Sequence, residues 1–197
     1  MKIDFLETIK VLDGRVYNIS YHQKRYESVL NFYGIKKCIQ LKDIIHPPQN
    51  ALQRCRVIYD LEGDIECSYH SYKKRKVERL KLLHADTLEY THKYANRESL
   101  ELLFSQKENC DEILIVKNGL LCDTSIANIA LFDGRKWVTP KTPLLEGTTR
   151  QRLLESGFLT VKNIAVEDLK MYSQMALMNA MIDFDIIADK KIEEIIC

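Results

Sequence analysis

The sequence lacks three features, each of which would assign the protein to a definite class. Its 29 lysines and arginines nearly balance its 28 aspartates and glutamates, so no net field favours nucleic acid as a partner. No apolar run approaches the ~20 residues that a membrane span needs. The first ten residues, MKIDFLETIK, also lack the apolar core of a secretory signal. We therefore expect a cytoplasmic protein without a nucleic-acid or membrane partner.

The six cysteines lack the spacing of a metal site or of a disulfide framework. None belongs to a C-x-x-C pair, and the single C-x-x-H pair, Cys67 and His70, has no second pair in register. We therefore expect reduced, mostly buried thiols and no bound metal.

The sequence contains enough apolar residues to form the core of one domain or of two small ones, since 46% of its 197 residues are hydrophobic. Strand-like and helix-like segments mix along the whole chain, which predicts an α/β (α+β) fold. The basic run KKRKVERLK at 73–81 is the best candidate for a link between a small N-terminal domain, residues 1–75, and a larger C-terminal domain, residues 76–197. It lacks interleaved aromatics, so a solvated link or edge strand is favoured over a nucleic-acid patch.

The N-terminal part offers one candidate ligand for an anion. KIDFLETIKVLDGRVYNI alternates and predicts a hairpin that turns at Asp13-Gly14. An amphipathic helix follows, with Ser20 as its N-cap and Gly34 as its stop. This helix carries Arg25, whose guanidinium is a natural phosphate ligand, although a lone helical arginine is usually solvated.

A second candidate anion site lies in LLEGTTRQRLLESG at 144–157. Gly147 allows close backbone approach, and Thr148 and Thr149 fall where a helix still has free N–H groups, which suit a phosphate. A threonine at a helix start is more often a plain cap. Asp123, inside an apolar run, must be paired if it is buried, or else it is a turn residue after KNGLLCD.

Lys93, in THKYANRESL, precedes a predicted helix that runs from about Arg97 to Gln106. A lysine in a partly buried cleft can have a lowered pKa and form a Schiff base with a carbonyl. Pyridoxal phosphate has three groups that a protein can bind: an aldehyde, a pyridinium nitrogen and a phosphate. An amine suits the aldehyde, a carboxylate suits the nitrogen, and an arginine plus a helix N-terminus suits the phosphate.

Seven motifs together resemble the class IV aminotransferase family: ET at 7–8, HQKR at 22–25, KYANR at 93–97, DTSIAN at 123–128, TP at 139–140, LLEGTTR at 144–150 and NAM at 179–181. The resemblance spans nearly the whole chain and is densest at 111–154. It implies the two-domain architecture of fold-type IV pyridoxal-phosphate enzymes, with the cofactor in the cleft between two α/β units, and a homodimer. Compared with that family, the chain resembles a short, N-terminally trimmed member.

Within the family, three agreements favour 4-amino-4-deoxychorismate lyase over the branched-chain and D-amino-acid aminotransferases. KYANR resembles the motif of the lyase, Asn179-Ala180 resembles its C-terminal motif, and Thr8 falls where the lyase has an active-site threonine. An aminotransferase and a relative without turnover remain the alternatives.

Carried over residue by residue, the resemblance gives each motif a role. It implies that Lys93 binds the cofactor aldehyde and moves the proton, and that Asp123 holds the pyridinium nitrogen where the family usually has glutamate. Thr8 is implied as catalytic. The remaining residues implied to bind the cofactor, several of them at its phosphate, are Arg25, Asn128, Leu145, Thr148, Thr149, Asn179 and Ala180. The residue that would bind the substrate carboxylate stays open between Arg54 and Arg56.

Overall fold

The computed structural model describes residues 3–49, 51–189 and 192–197. The chain divides into two compact units. The first contains residues 1–74 together with 92–96, and the second contains residues 75–91 and 97–197. Both mix helices with strands, as the sequence predicts.

The first unit is a four-stranded antiparallel sheet with one long helix. The strand order is β2-β1-β3-β4. Its strands are β1 (Phe5–Leu12), β2 (Arg15–Val16), β3 (Leu52–Tyr59) and β4 (Ile65–Ser71), and its helices are α1 (Ile19–Phe32) and α2 (Leu41–Ile44). The predicted hairpin turn is confirmed: Asp13 and Gly14 lie between β1 and β2 with φ of 48° and 77°. A positive φ at both positions matches the right-handed twist of the strands.

Helix α1 begins earlier than predicted and ends where predicted. Its N-cap is Asn18 at φ 53° without a side-chain cap, so Ser20 lies inside the first turn and the prediction that it caps the helix is wrong. Gly34, at φ 76°, donates its N–H to Asn31 and ends the helix. The buried face of the helix packs against the sheet, and the core there is Phe5, Ile9, Val11, Tyr26, Val29, Leu30, Cys55 and Val57.

Residues 92–96 belong to the first unit because they pair with the edge of β1. The N–H of Leu6 donates to the carbonyl of Lys93 over 2.8 Å, and the N–H of Ala95 donates to the carbonyl of Asp4 over 2.8 Å. An antiparallel bridge joins Phe5 to Tyr94. Lys93, which the predicted domains placed among residues 76–197, is therefore held by the first sheet.

The second unit is built on an eight-stranded sheet. The path runs β10-β9-β8-β7-β6-β5, and β11 pairs with β8 and β12. The strands are β5 (Leu80–His84), β6 (Glu112–Lys117), β7 (Leu120–Thr124), β8 (Asn128–Phe132), β9 (Trp137–Pro140), β10 (Leu159–Lys162), β11 (Gln174–Asn179) and β12 (Asp183–Ala188). The helices are α3 (Glu98–Ser105), α4 (Thr148–Glu155) and two 3-10 helices, Val166–Met171 and Ile192–Ile195. Central to its core are Leu80, Leu114, Val116, Leu121, Ile129, Leu131, Met175 and Leu177.

The structure decides between the two interpretations of Asp123. The turn of KNGLLCD is at Asn118 and Gly119, with φ of 51° and 76°, and Asp123 lies buried within β7. The next strand, β8, starts at Asn128. Residues 124–127 turn there because the hydroxyl of Thr124 accepts the N–H groups of Ile126 and Ala127.

One expectation about the cysteines is wrong. Cys110 and Cys197 form a disulfide across 87 residues of sequence, although the spacing predicted reduced thiols. The pairing follows from the sheet: the N–H of Cys197 donates to the carbonyl of Leu80, and Cys110 precedes the strand that lies beside Leu80. Spacing along the chain could not indicate this neighbourhood. Cys38, Cys55, Cys67 and Cys122 are free.

Two further features bear on the predicted partners. Residues 72–79 have no regular structure, and the lysines and arginine of 73–76 are exposed. Within residues 3–49, 51–189 and 192–197, every helix is too short or too polar to cross a membrane.

Candidate active site

The first cluster of functional side chains is built on the inward face of β1. Side chains alternate along a strand, so Phe5, Glu7, Ile9 and Val11 share the face that packs against α1. Three of them are core hydrophobes. The fourth, Glu7, is a fully buried carboxylate, and an acid in that position requires partners.

Helix α1 supplies both partners of Glu7 from one face. The guanidinium of Arg25 donates from Nε to one carboxylate oxygen over 2.7 Å and from Nη2 to the other over 2.6 Å. His22, one turn earlier and fully buried, places Nδ1 at 2.5 Å from the oxygen that Nη2 also contacts. Residues 22 and 25 are three positions apart, so both side chains reach the same carboxylate.

Charge decides the protonation of this cluster. Burial by itself would raise the pKa of Glu7, but the Arg25 guanidinium and the His22 ring outweigh it and lower that pKa to about 2. Burial lowers the pKa of His22 despite its contact with Glu7, and the positive charges of Arg25 and Lys93 lower it further. At neutral pH, His22 is therefore neutral and donates its Nδ1 proton to an ionised Glu7.

Lys93 belongs to the same unit as this cluster. Its carbonyl accepts the N–H of Leu6, which fixes its backbone next to Glu7, and its side chain is half-buried. Its charge acts on His22. The structure thus places two predicted residues, Lys93 and Arg25, around one strand, β1.

Thr8 lies apart from this cluster. β1 pairs with β3 without a register shift, and Thr8 stands opposite Arg56. Alternation therefore directs Thr8 to the face of the sheet opposite Glu7 and its helix. Thr8 is half-buried there, and its catalytic role stays a prediction.

The second cluster surrounds Asp123 on β7. Asn128 donates from Nδ2 to one oxygen of Asp123 over 2.8 Å, and the N–H of Leu145 donates to the other over 2.9 Å. The same Nδ2 also donates to the carbonyl of Leu145 over 2.7 Å. Three predicted cofactor residues are therefore connected in one network.

Asp123 keeps an incompletely compensated charge. It is 3% exposed, and burial raises its pKa to about 6 even though Asn128, Leu145 and the field of Arg150 lower it. Arg150 is also buried and donates from Nη2 to the carbonyl of Pro140. A buried carboxylate with a raised pKa favours a cationic partner, because such a partner would stabilise its ionised form.

Gly147 connects this network to the start of α4. A Cβ at Gly147 would lie 2.0 Å from Oδ1 of Asn128, so only glycine allows this approach. Gly147 is the N-cap, without a side-chain cap bond, and the first intrahelical bond runs from the N–H of Gln151 to its carbonyl. Thr148 and Thr149 are both buried in the first turn, where helix N–H groups remain available for an anion.

Asn179 ends β11 close to the loop that follows Asp123, and Ala180 comes directly after it. The side chain of Asn179 donates from Nδ2 to the carbonyl of Ile126 over 3.2 Å. Its Oδ1 accepts the N–H groups of Met181 and Ile182 over 2.9 and 3.0 Å. In this structure the amide therefore holds a turn and a loop together, and Ala180 beside it is half-buried.

Glu7 and His22 lie in the ET and HQKR motifs, but the sequence predicted no role for either residue. A signal was present for Glu7, since it interrupts the apolar face Phe5, Ile9, Val11 at an inward position. His22 carries no such signal, because a histidine on a helix is ordinary. Arg150 was also missed, because the resemblance assigned roles to the two threonines before it and none to this arginine.

The donor sets fit pyridoxal phosphate. A half-buried amine suits its aldehyde, and a buried carboxylate of raised pKa suits its ring N–H. Buried hydroxyls at an uncapped helix start suit its phosphate. Gly147 leaves room for the amide of Asn128, which in turn donates to Asp123.

Known proteins match the chain over most of its length. The model of the family described as Amino-transferase class IV matches residues 4–187. An uncharacterized protein from Haemophilus influenzae is 36% identical over 181 residues, covering 89% of this chain and 96% of that protein.

Solved structures share the fold. A putative 4-amino-4-deoxychorismate lyase from Haemophilus somnus has a TM-score of 0.83 and 37% identity over 91% of this chain and 96% of its own. A hypothetical aminotransferase from Mycobacterium tuberculosis, solved in a PLP-bound form, has a TM-score of 0.80 at 15% identity over 95% and 82%, which speaks for the fold alone. The predicted fold class is confirmed, and the chain belongs to the class IV aminotransferase family, whose enzymes depend on pyridoxal phosphate.

Proposed function

We propose that this chain binds pyridoxal phosphate and converts 4-amino-4-deoxychorismate to 4-aminobenzoate and pyruvate, a step toward folate. The observation that supports cofactor binding is the burial of the Asp123 carboxylate, which raises its pKa to about 6. A cationic ligand group would stabilise its ionised form. When bound, pyridoxal phosphate supplies an electron sink for a carbanion next to an amine.

Most of the predicted site residues have a task in this proposal. Lys93 binds the cofactor aldehyde and then, as a free amine, takes the proton from the ring carbon that carries the substrate amine. Asp123 holds the ring nitrogen in its protonated form. Arg25, Thr148 and Thr149 hold the phosphate, with Asn179 and Ala180 beside it, and Leu145 packs on a face of the ring. Loss of the enolpyruvyl group as pyruvate makes the product aromatic, which drives the reaction forward.

The lyase assignment rests on likeness. The Haemophilus somnus protein that bears the name of a putative 4-amino-4-deoxychorismate lyase is 37% identical, and Thr8, KYANR and Asn179-Ala180 agree with the lyase motifs. Thr8 would orient the leaving ether oxygen.

An amino-acid aminotransferase is the second candidate. The amide of Asn179 is engaged in three structural hydrogen bonds, so the presence of this asparagine does not by itself distinguish the lyase from an aminotransferase. Lys93 and Asp123 would act alike in both enzymes, and the product separates them.

The first test is the absorption spectrum of the purified protein supplied with pyridoxal phosphate, before and after borohydride reduction. We expect a visible band that reduction removes, and a reduced adduct that peptide mass maps to Lys93. Lys93→Ala should lose the band and the adduct, whereas Lys10→Ala, a half-buried lysine of the same unit, should keep both. Absence of any band and adduct in the wild type would favour a relative without turnover.

The second test separates the two reactions. The loaded enzyme should form equimolar pyruvate and 4-aminobenzoate from 4-amino-4-deoxychorismate, and Lys93→Ala should form neither. Transfer of an amino group to 2-oxoglutarate or pyruvate, with no 4-aminobenzoate, would instead identify an aminotransferase.

The assembly and location also belong to this proposal. We expect a homodimer in the cytoplasm that acts on a small amino substrate. Sedimentation of the loaded protein should give twice the mass of the 23.0 kDa chain, and a mass of one chain would contradict it.

A further inference from the structure

Arg25 is held by one edge of its guanidinium. Its Nε and Nη2 donate to the two oxygens of Glu7 over 2.7 and 2.6 Å. Such a bidentate pair fixes both the plane and the direction of the guanidinium. The N–H groups of Nη1, on the other side of the group, then point away from Glu7.

Glu7 is itself held from a second side. His22 contacts it at 2.5 Å, and the side chains of both residues are only 1% exposed. The side chain of Arg25 is 15% exposed, so it alone of the three reaches the surface of the cluster. Because His22 is neutral, it adds rigidity to the carboxylate without adding a charge.

This arrangement cancels charge while it fixes direction. The ionised Glu7 offsets the positive charge of Arg25, which a purely electrostatic phosphate site would not do. A lone surface arginine samples many rotamers and loses that freedom when it binds a ligand. An arginine whose side chain is already fixed loses less conformational freedom when it binds the ligand.

We propose that Glu7, held by His22, is a positioning residue that aims the guanidinium of Arg25 at the phosphate of the cofactor. The inference rests on the proposed function and adds to it a reason for two buried polar residues that do not touch the phosphate. Arg25 recognises the phosphate by the direction of its N–H groups more than by net charge.

The experiment compares two ligands that differ by the phosphate. Dissociation constants for pyridoxal phosphate and for pyridoxal are measured by absorption titration of the whole chain, and their ratio reports the phosphate alone. In Glu7→Gln we expect the preference for pyridoxal phosphate to fall at least about tenfold while the affinity for pyridoxal stays within about twofold. A merely structural role would weaken both ligands alike.

A second variant keeps the test decisive if Glu7→Gln does not fold. Arg25→Lys retains the positive charge at a partly exposed position but has no planar fork. Its phosphate preference should fall by about the same tenfold. Either folded variant retaining the wild-type preference would overturn the positioning role.

Glu112→Gln is the matched control. Glu112 is also fully buried and also paired with an arginine, Arg75, but in the second unit. We expect it to lose stability and to keep the phosphate preference. If the wild type binds pyridoxal phosphate at Lys93 while the variants keep its preference, the positioning inference alone fails. If the wild type gains no adduct, the proposed function fails as well.

Discussion

Glu7 and Asp123 are buried carboxylates of the two units, and their pKa values move in opposite directions. That of Glu7 falls to about 2 and that of Asp123 rises to about 6. Burial raises both. Glu7 is met by a guanidinium on both oxygens, whereas Asp123 receives its hydrogen bonds from a neutral amide and a backbone N–H.

The opposite pKa shifts show whether the fold supplies a cationic partner to each buried carboxylate. The first unit supplies the cation that Glu7 needs, so this carboxylate is ionised throughout the physiological range. The second unit leaves Asp123 short of a cation, and a protonated ring nitrogen would do for Asp123 what Arg25 does for Glu7. One carboxylate fixes side chains within the first unit, and the other suits the cationic ligand that we propose.

The largest expected effect is the loss of the cation from Glu7. Arg25→Met retains the length of the side chain but leaves a buried carboxylate with only His22 as its named partner. We expect the free energy of unfolding in urea at pH 7 to fall by about 3–5 kcal/mol. The double variant Arg25→Met with Glu7→Leu, which removes both charges, should recover most of that loss. A double variant as unstable as the single one would show that packing of Arg25 is the cause.

The acid limb of the stability curve tests Glu7 next. Its pKa is lower in the folded state, so its contribution is present above pH 4.5 and is lost as pH falls toward 2. Between pH 5.5 and 3, the stability advantage of the wild type over Glu7→Gln should shrink by about 2 kcal/mol. Urea titrations at several pH values measure this difference, which a constant gap would contradict.

In the cofactor-free protein, the contribution of Asp123 to stability should depend on pH in the opposite direction from that of Glu7. Its pKa is higher in the folded state, so its contribution is full below pH 3.8 and is lost as pH rises through 6. Relative to the wild type, Asp123→Asn should therefore gain about 2 kcal/mol between pH 4.5 and 7. Parallel curves for the two proteins would mean that Asp123 is not perturbed by burial.

The smallest effect concerns the packing that holds Asp123. Gly147→Ala places a methyl 2.0 Å from Oδ1 of Asn128, which must displace the amide from Asp123 and cost about 1–3 kcal/mol. Asn128→Ala removes the obstructing oxygen. On that background Gly147→Ala should cost less than about 0.5 kcal/mol, since the backbone of Gly147 suits any residue at φ −72°. An equal cost on both backgrounds would exclude this contact as the cause.

Local patterns predicted the secondary structure well where they acted alone. The turn at Asp13-Gly14 and the helix stop at Gly34 follow from backbone conformations that few residues adopt. Asp123, Asn128 and Leu145 were named from the family resemblance, and the structure connects them. Their spacing along the chain could not give the hydrogen bonds themselves.

Long-range pairing could not be predicted from the sequence. Ser20 fits a cap by residue type, yet the N-cap is Asn18, a residue of left-handed conformation that follows the hairpin. The Cys110–Cys197 disulfide and the role of Glu7 both depend on which strands and helices become neighbours. A one-dimensional pattern does not contain that information.

The pairing of residues 92–96 with β1 has a consequence for how the chain can be divided. The polypeptide leaves the first unit after residue 74, returns for five residues, and leaves again. A fragment of residues 1–75 would therefore lack a piece of its own sheet and expose the backbone edge of β1 near Phe5. The first unit is therefore not one continuous segment of the chain, and a fragment that ends at residue 75 would also lack Lys93.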